Sequence, residues 1–496
     1  MSALKSATRV TPPTLGQATI PLGVLVLLLG SSVFLFGDTS SSGPNQIAML
    51  LGTAVAALIG LRNGHTWSDL EAAMGRGIST ATGPLLILLM VGSVIGVWIL
   101  AGVVPTMIYY GLSLLSPSIY YAAACAICAV VALATGSSWT TAGTVGLALI
   151  GIATTYDLHL GIAAGAIISG AYFGDKMSPL SDTTNLAPAV AGTDLFTHIR
   201  HMAWTTTPSF VIALLFFIAV GIITPSPAGG NELTAVMSAL ESNFSIGPHL
   251  LFPVVVVLAL VIRRMPALPA LLIGALVGAI FSIVFQPDAV LQYIGDTTLP
   301  RPIALLQGAW QALFAGYHIE SGNIVVDDLL SRGGMASMLT TIWLIITAMI
   351  FGAVMEATEL LETLAARILR FVRSTGSLIA ATLVTSFGVN VLASDQYIAI
   401  VLPGRMFRNE YERRSLDPKN LSRTLEDSGT LTSVLVPWNT CGAFMAQTLG
   451  VSTLTYAPFA IFNLINPFIA ALYGFLRVSI APLATTKDQP RDDVIM

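Results

Sequence analysis

The chain has 496 residues, 54% of them hydrophobic and only 10% charged, against about 25% charged in an ordinary soluble chain. A net charge of −4 gives no basis for nucleic-acid binding, and three cysteines are too few for a disulfide framework. Length alone would suggest several soluble domains, but the composition indicates a polytopic membrane protein.

A spanning helix needs roughly 20 mainly apolar residues. In chain order the clear candidates are 18–36, 46–61, 84–104, 207–223, 249–262, 268–285, 337–356 and 457–476. The N-terminal MSALKSATRV is not a tidy signal peptide, so the first apolar stretch is expected to stay as a span. Positive charge orients the spans. Lys5 and Arg9 precede the first, Arg62 and Arg76 follow the second, and Arg200, Arg263 and Arg264 flank later ones. The densest basic cluster runs from Arg367 to Arg423, whereas 37–45, 105–118 and 224–248 carry no Lys or Arg. Both termini are expected to be cytoplasmic. Cys125 and Cys128 read as core packing rather than a redox or metal pair, and all six histidines as interfacial. The stretch Arg405 to Arg423 reads as a cytoplasmic amphipathic arm.

Two segments resist simple counting. Segment 119–156 is split around ATGSSWTT, with ends that lack positive charge, and 377–404 is split around NVLASDQY, with basic ends. The simplest reading is two re-entrant hairpins entering from opposite faces, since irregular backbone at membrane depth must lie against protein or a wet cavity. An apolar segment broken by polar residues follows each: 160–199, broken at GAYFGDKMSPLSDTTNLAP, and 424–449, broken at VPWNTCG. Sliding the chain by 256 positions lays Gly96–Pro105 on Gly352–Leu361, Ser138 on Ser394 and Trp139 on Asp395. The expected fold is therefore an all-α polytopic membrane protein with about 10 spanning helices, two re-entrant hairpins, and inverted structural repeats with broken helices, an architecture of many secondary transporters. The divisions are a two-helix region 1–80, a first repeat 81–200, connecting helices 201–336, a second repeat 337–480 and a cytoplasmic tail 481–496.

The polar breaks carry the chemistry. Gly174 and Pro179 should interrupt the helix and free carbonyls near mid-membrane. Hard cations want carboxylate, hydroxyl and carbonyl oxygens, and half-helix ends supply the last of these. A carboxylate at such a break lets a proton compete with the ion, so one site that holds either Na⁺ or H⁺ suffices for exchange. Asp175 and Asp182 are the strongest candidates. Asp395 at the second tip and Asn439–Thr440 at the second break are their counterparts, faced by Ser137, Ser138 and Thr140. Charged residues inside spans are functional by default, but Asp395 also reads as a polar cap on a half-helix. Lys176 reads equally as a counter-ion or a snorkelling anchor. Glu356 and Glu359 read as solvated, and Asp427 lies one turn into the last broken helix.

The motif FGDKMSPLSDTTNLAP, Phe173 to Pro188, resembles the signature of the NhaC-type Na⁺/H⁺ antiporters, within the larger ion-transporter superfamily. VPTMIYYGLSLLSP (104–117), TGSSWTTAGTVG (135–146) and VPWNTCGAF (436–444) are similar to the same family, and the resemblance covers about 80 to 480. It implies exchange of Na⁺ or Li⁺ for H⁺ across a bacterial inner membrane by alternating access. It also implies that Ser137, Ser138, Asp175, Ser178, Asp182, Thr183, Asn185, Ser394, Asp395, Asn439 and Thr440 bind the ion, with Asp175, Asp182 and Asp395 as Na⁺ ligands. Some members carry malate, lactate or amino acids, so Na⁺-coupled transport of a small organic acid or amino acid is the alternative. No nucleophile–base or metal-ligand spacing indicates an enzyme. No cofactor is expected beyond the transported Na⁺ and H⁺. The expected partners are membrane lipid and these ions, with a small organic acid and a second copy of the chain as further candidates.

Overall fold

The computed structural model describes residues 10–224, 230–296 and 298–483. Lys5, Arg9 and the tail beyond 483 lie outside the described residues. Every regular element among those described is helical, apart from one isolated bridge between Leu416 and Pro482. Eight helices are long and apolar enough to cross a membrane, and two bent pairs raise the number to ten. The bent pairs are 233–243 with 248–262, at 87°, and 453–459 with 461–476, at 54°. Every span expected from hydropathy is found. Their outward faces carry bare apolar side chains such as Leu27, Phe34 and Ile222, which suits a lipid surface.

The remaining two of the ten are the first arms of the hairpins, Pro117–Thr135 and Thr375–Leu392. Each is full span length, so the ten include arms that the sequence reading had placed in addition to ten spans. The helix expected at 207–223 also begins earlier, at Leu195, because Asp194 caps it: its carboxylate accepts from the Thr197 amide at 2.9 Å. Those bonds, first from the Thr197 side chain, hold the Asp194 carboxyl below the usual carboxylate range.

The two repeats share one register. Helix starts at Ser116 and Ser374, Ser137 and Asp395, His159 and Asp417, Ser181 and Asn439, and Asp194 and Ser452 are each 258 positions apart. The left-handed helix ends at Gly192 and Gly450 keep the same spacing. The sliding match of 256 is therefore corrected. Ser137 corresponds to Asp395, Ser138 to Gln396, and Asp182 to Thr440. Caps fix this register because a helix start must give its free amides an acceptor, whereas apolar runs slide past one another with little penalty. At the hairpin tips Gly136 has φ +68°, and its counterpart Ser394 holds the left-handed conformation at φ +59°, a strained position for a side chain.

Gly174 does not break the helix. Helix Leu160–Met177 runs through it, and a Cβ there would meet the Ala129 carbonyl oxygen at 2.3 Å. One turn earlier, a Cβ on Gly170 would meet the Cys125 oxygen at 2.0 Å. The two glycines let the first broken helix lie directly on the first hairpin arm, as small residues do between membrane helices. The break itself is Ser178–Ser181, around Pro179.

Candidate functional site

Each hairpin tip docks on the break that follows it. In the first repeat the chain leaves Thr135, turns at Gly136, and starts a new helix capped by Ser137, whose Oγ accepts from the Thr140 amide at 3.1 Å. This aims the Ser138 amide and hydroxyl at Asp175, two residues from the end of helix Leu160–Met177. Both donate to Asp175 Oδ2, at 3.1 and 2.7 Å. Asp175 is only 9% exposed. A buried carboxylate is thus met by a half-helix N-terminus, whose dipole favours negative charge.

The loop after Asp175 closes on itself. Thr184 Oγ1 donates to the carbonyls of Asp175 and Lys176 at 3.3 and 3.0 Å, and Asn185 Nδ2 donates to those of Pro179 and Ser181 at 2.9 and 2.7 Å. Several of the carbonyls expected to be free for an ion are therefore taken. Ser178 is fully buried, and its hydroxyl accepts from the Leu180 amide at 3.3 Å.

Ser137, Ser138, Asp175, Asp182, Thr183, Asn185 and Thr440 all line one cavity of about 810 Å³. Asp182 and Asn185 are exposed to it. Gln396 and Tyr397, at the start of the second tip's helix, complete the opposite wall. Sequence reasoning missed both; the 258 register, which pairs Gln396 with Ser138, is the signal that would have found them.

Ser178, Ser394, Asp395 and Asn439 are not on that wall. Asp395 is 1% exposed, and its Oδ1 accepts from the amides of Tyr397 and Ile398 at 2.9 and 3.0 Å, which is the capping geometry. The Asn439 carboxamide accepts from the Cys441 amide at 3.0 Å and donates to Asn390 at 3.1 Å. The Thr440 amide donates to the Ser394 carbonyl at 3.0 Å. These four residues lie in the support behind the cavity.

Lys176 resolves as a counter-ion, but not for Asp175. It pairs with Asp427 across the two repeats, both side chains fully buried. Thr205 also donates to Asp427 Oδ1, at 3.0 Å, and Arg423 Nε lies 4.0 Å from Oδ2. Arg423 is 1% exposed, so the proposed cytoplasmic arm ends before it; Arg405, Arg408 and Arg413 are exposed as expected. His198 and His201 are not interfacial. The early start of helix Leu195–Ile223 buries them against Pro418–Leu425, where His198 meets Ser422 and His201 meets Asn420 at 3.2 Å.

Comparison with known proteins places this architecture. A family model described as "Na+/H+ antiporter family" matches residues 170–299 and 302–478. The Na⁺/H⁺ antiporter NhaC of Alkalihalophilus pseudofirmus is 40% identical, over 94% of this chain and 96% of that protein. The malate-2H⁺/Na⁺-lactate antiporter of Bacillus subtilis is 37% identical over 93% and 95%. The arginine/ornithine antiporter ArcD of Halobacterium salinarum is 34% identical over 93% and 92%. The chain belongs to the Na⁺/H⁺ antiporter family, of the NhaC type.

Proposed function

We propose that this protein exchanges Na⁺ or Li⁺ for H⁺ across a bacterial inner membrane by alternating access, with Asp175 as the carboxylate that the two cations share. The carrying observation is the contact of Ser138 with Asp175 at the wall of the cavity. A carboxylate fixed by two donors, next to hydroxyls and open to a wet space, offers oxygen ligands to a hard cation. A proton on the same carboxylate would remove its charge and expel the metal ion. Asp182, exposed on the same lining, would concentrate cations ahead of it. The cavity lining includes Arg264, Gly83 and Pro84, which border the basic loops that the positive-inside rule assigns to the cytoplasm. The conformation is therefore read as inward-open, with both termini cytoplasmic.

A second reading rests on the cavity's size. Its volume of about 810 Å³ far exceeds what an alkali ion needs and falls in the range of small-molecule sites, about 300–1,000 Å³. Na⁺-coupled carriage of a small carboxylate or amino acid would use that space; the names of two relatives describe malate/Na⁺-lactate and arginine/ornithine exchange for those proteins.

The test is proteoliposomes holding purified protein and a pH-sensitive dye under an imposed ΔpH. Na⁺ or Li⁺ should restore the dye signal, K⁺ and choline should not, and Asp175→Asn should abolish the response. Raising the pH should lower the Na⁺ concentration needed for half-maximal exchange, because fewer protons compete. Silence with every cation, followed by a response once malate, lactate or amino acids are added, would move the assignment to the organic substrate.

A further inference from the structure

The buried charges behind the cavity are not all accounted for by the Lys176–Asp427 pair. Arg423, Glu426 and Asp427 lie together on the second broken helix, at most 1% exposed, and none of them lines the cavity. Lys176 and Thr205 both bond Asp427 Oδ1, Oδ2 has only Arg423 Nε at 4.0 Å, and Arg423 donates to the Ser479 carbonyl at 3.0 Å. Glu426 is different. Neither of its carboxylate oxygens, nor the Thr430 hydroxyl, makes a hydrogen bond of normal geometry, although the side chains of Thr430 and of the cavity-lining Thr183 lie near enough to stabilise its charge. A fully buried carboxylate left this way is strongly disfavoured unless something neutralises it.

Glu426 and Thr430 are the two ends of a π-helical turn, Glu426–Thr430. Such turns insert an extra residue into a helix and are frequent at functional sites. Beside Arg423 and Asp427 on its own helix, Glu426 is acted on by the charges of Lys176 and Asp175, from the first broken helix. Asp182 is exposed on the cavity wall, while Tyr411 and Tyr473 face Arg423. Among these five groups, all ionised, Lys176 and Arg423 oppose Asp175, Glu426 and Asp427, leaving one negative charge in excess; Asp395, buried at the second hairpin tip, is a further carboxylate outside this set. One monovalent cation balances the set, whether it sits at Asp175 or at Glu426.

We propose that Glu426 and Thr430 form a second, enclosed monovalent-cation site behind Asp175, occupied by Na⁺ or by a proton in alternation with the cavity-facing site. The proposal rests on the Na⁺/H⁺ exchange reading and adds a second station to it. An ion entering from the cavity meets Asp175 first, and the same excess charge admits it at Glu426 only when Asp175 is empty.

The test uses the full chain purified in detergent, with bound ²²Na⁺ and the protons released into weak buffer on Na⁺ addition measured together. Glu426→Gln should alter one of the two quantities by at least twofold. A fall in Na⁺ bound at saturation identifies a Na⁺ station, and a fall in protons released per Na⁺ identifies a proton station. Thr430→Val, which keeps the carboxylate, should move the same quantity in the same direction, and Glu426→Asp should restore it. If Glu426→Gln matches the wild type in both, the second site is overturned while the exchange reading stands. If both quantities vanish in Glu426→Gln but Thr430→Val is unaffected, Glu426 is structural and the site is likewise overturned. A wild type that neither binds Na⁺ nor releases protons overturns both readings.

Discussion

The two broken helices, 160–191 and 418–449, are built on the same caps at the same spacing and do opposite things with charge. The first carries Asp175 and Asp182 at its break, where both meet the cavity. The second has Ser433 and Thr440 at those positions and carries its charges two to three turns earlier, as Arg423, Glu426 and Asp427, sealed from the cavity. The capping frame is thus a scaffold that tolerates either arrangement. What differs is which oxygens reach water and which are answered inside the protein. A duplicated fold has been divided into a wet carboxylate half and a dry ion-paired half.

Five substitutions and one double variant probe that division, from the largest expected effect to the smallest. Asp427→Leu leaves Lys176 and Arg423 as buried cations and should lower stability by about 3–5 kcal/mol, read as thermal unfolding in detergent. Combined with Lys176→Met the loss should be smaller than the sum of the two single losses; an additive result would deny that the pair organises the dry half. Gly170 and Ser428 are equivalent in the register. Gly170→Ser must push the Cys125 backbone away and should destabilise by about 1–3 kcal/mol. Ser428 by contrast donates to the Leu383 carbonyl at 2.7 Å, so equal tolerance of side chains at the two positions would erase the packing difference. Asp182→Thr converts the wet half toward Thr440. It should leave folding intact and weaken apparent Na⁺ affinity roughly tenfold, about 1.4 kcal/mol, measured by titrating Na⁺ in the proteoliposome assay. Last come the caps. Ser181→Ala should destabilise by less than about 1 kcal/mol, since its bond to the Thr184 amide is long at 3.4 Å. Asn439→Ala should cost about 1 kcal/mol or somewhat more, because it also loses the bonds to Asn390.

Much of this was readable in advance. Hydropathy located every span outside the two hairpin arms, and the polar runs around Ser137 and Asp182 marked where helices stop, because a polar cluster inside an apolar run needs a structural reason. The pairing of repeats was misread by two residues, since residue identities such as Ser138 and Ser394 are weak markers of register and the spacing of caps is a strong one. Gly174 was misread as a breaker. In a helix a glycine can serve close packing just as well, and only the neighbouring Ala129 carbonyl decides between the two. The partner of Lys176 lay 251 positions away, and no local pattern points from one to the other. The burial of His198 and His201 followed from a helix that starts three turns early, which a hydropathy window centred on the apolar core of 207–223 does not register.

The Lys176–Asp427 pair also bears on how the protein can move. One member belongs to each repeat, so sliding the two broken helices apart would strand both charges in a medium that cannot solvate them, at several kcal/mol. Trp139 of the first hairpin stacks on Phe444 of the second repeat, with ring centroids 4.0 Å apart, and adds an apolar weld beside the ionic one. The least expensive displacement carries both breaks and both tips as a single block against the surrounding helices. Access to the ion would then change because the whole block travels or tilts, with the binding oxygens keeping their mutual geometry throughout the cycle.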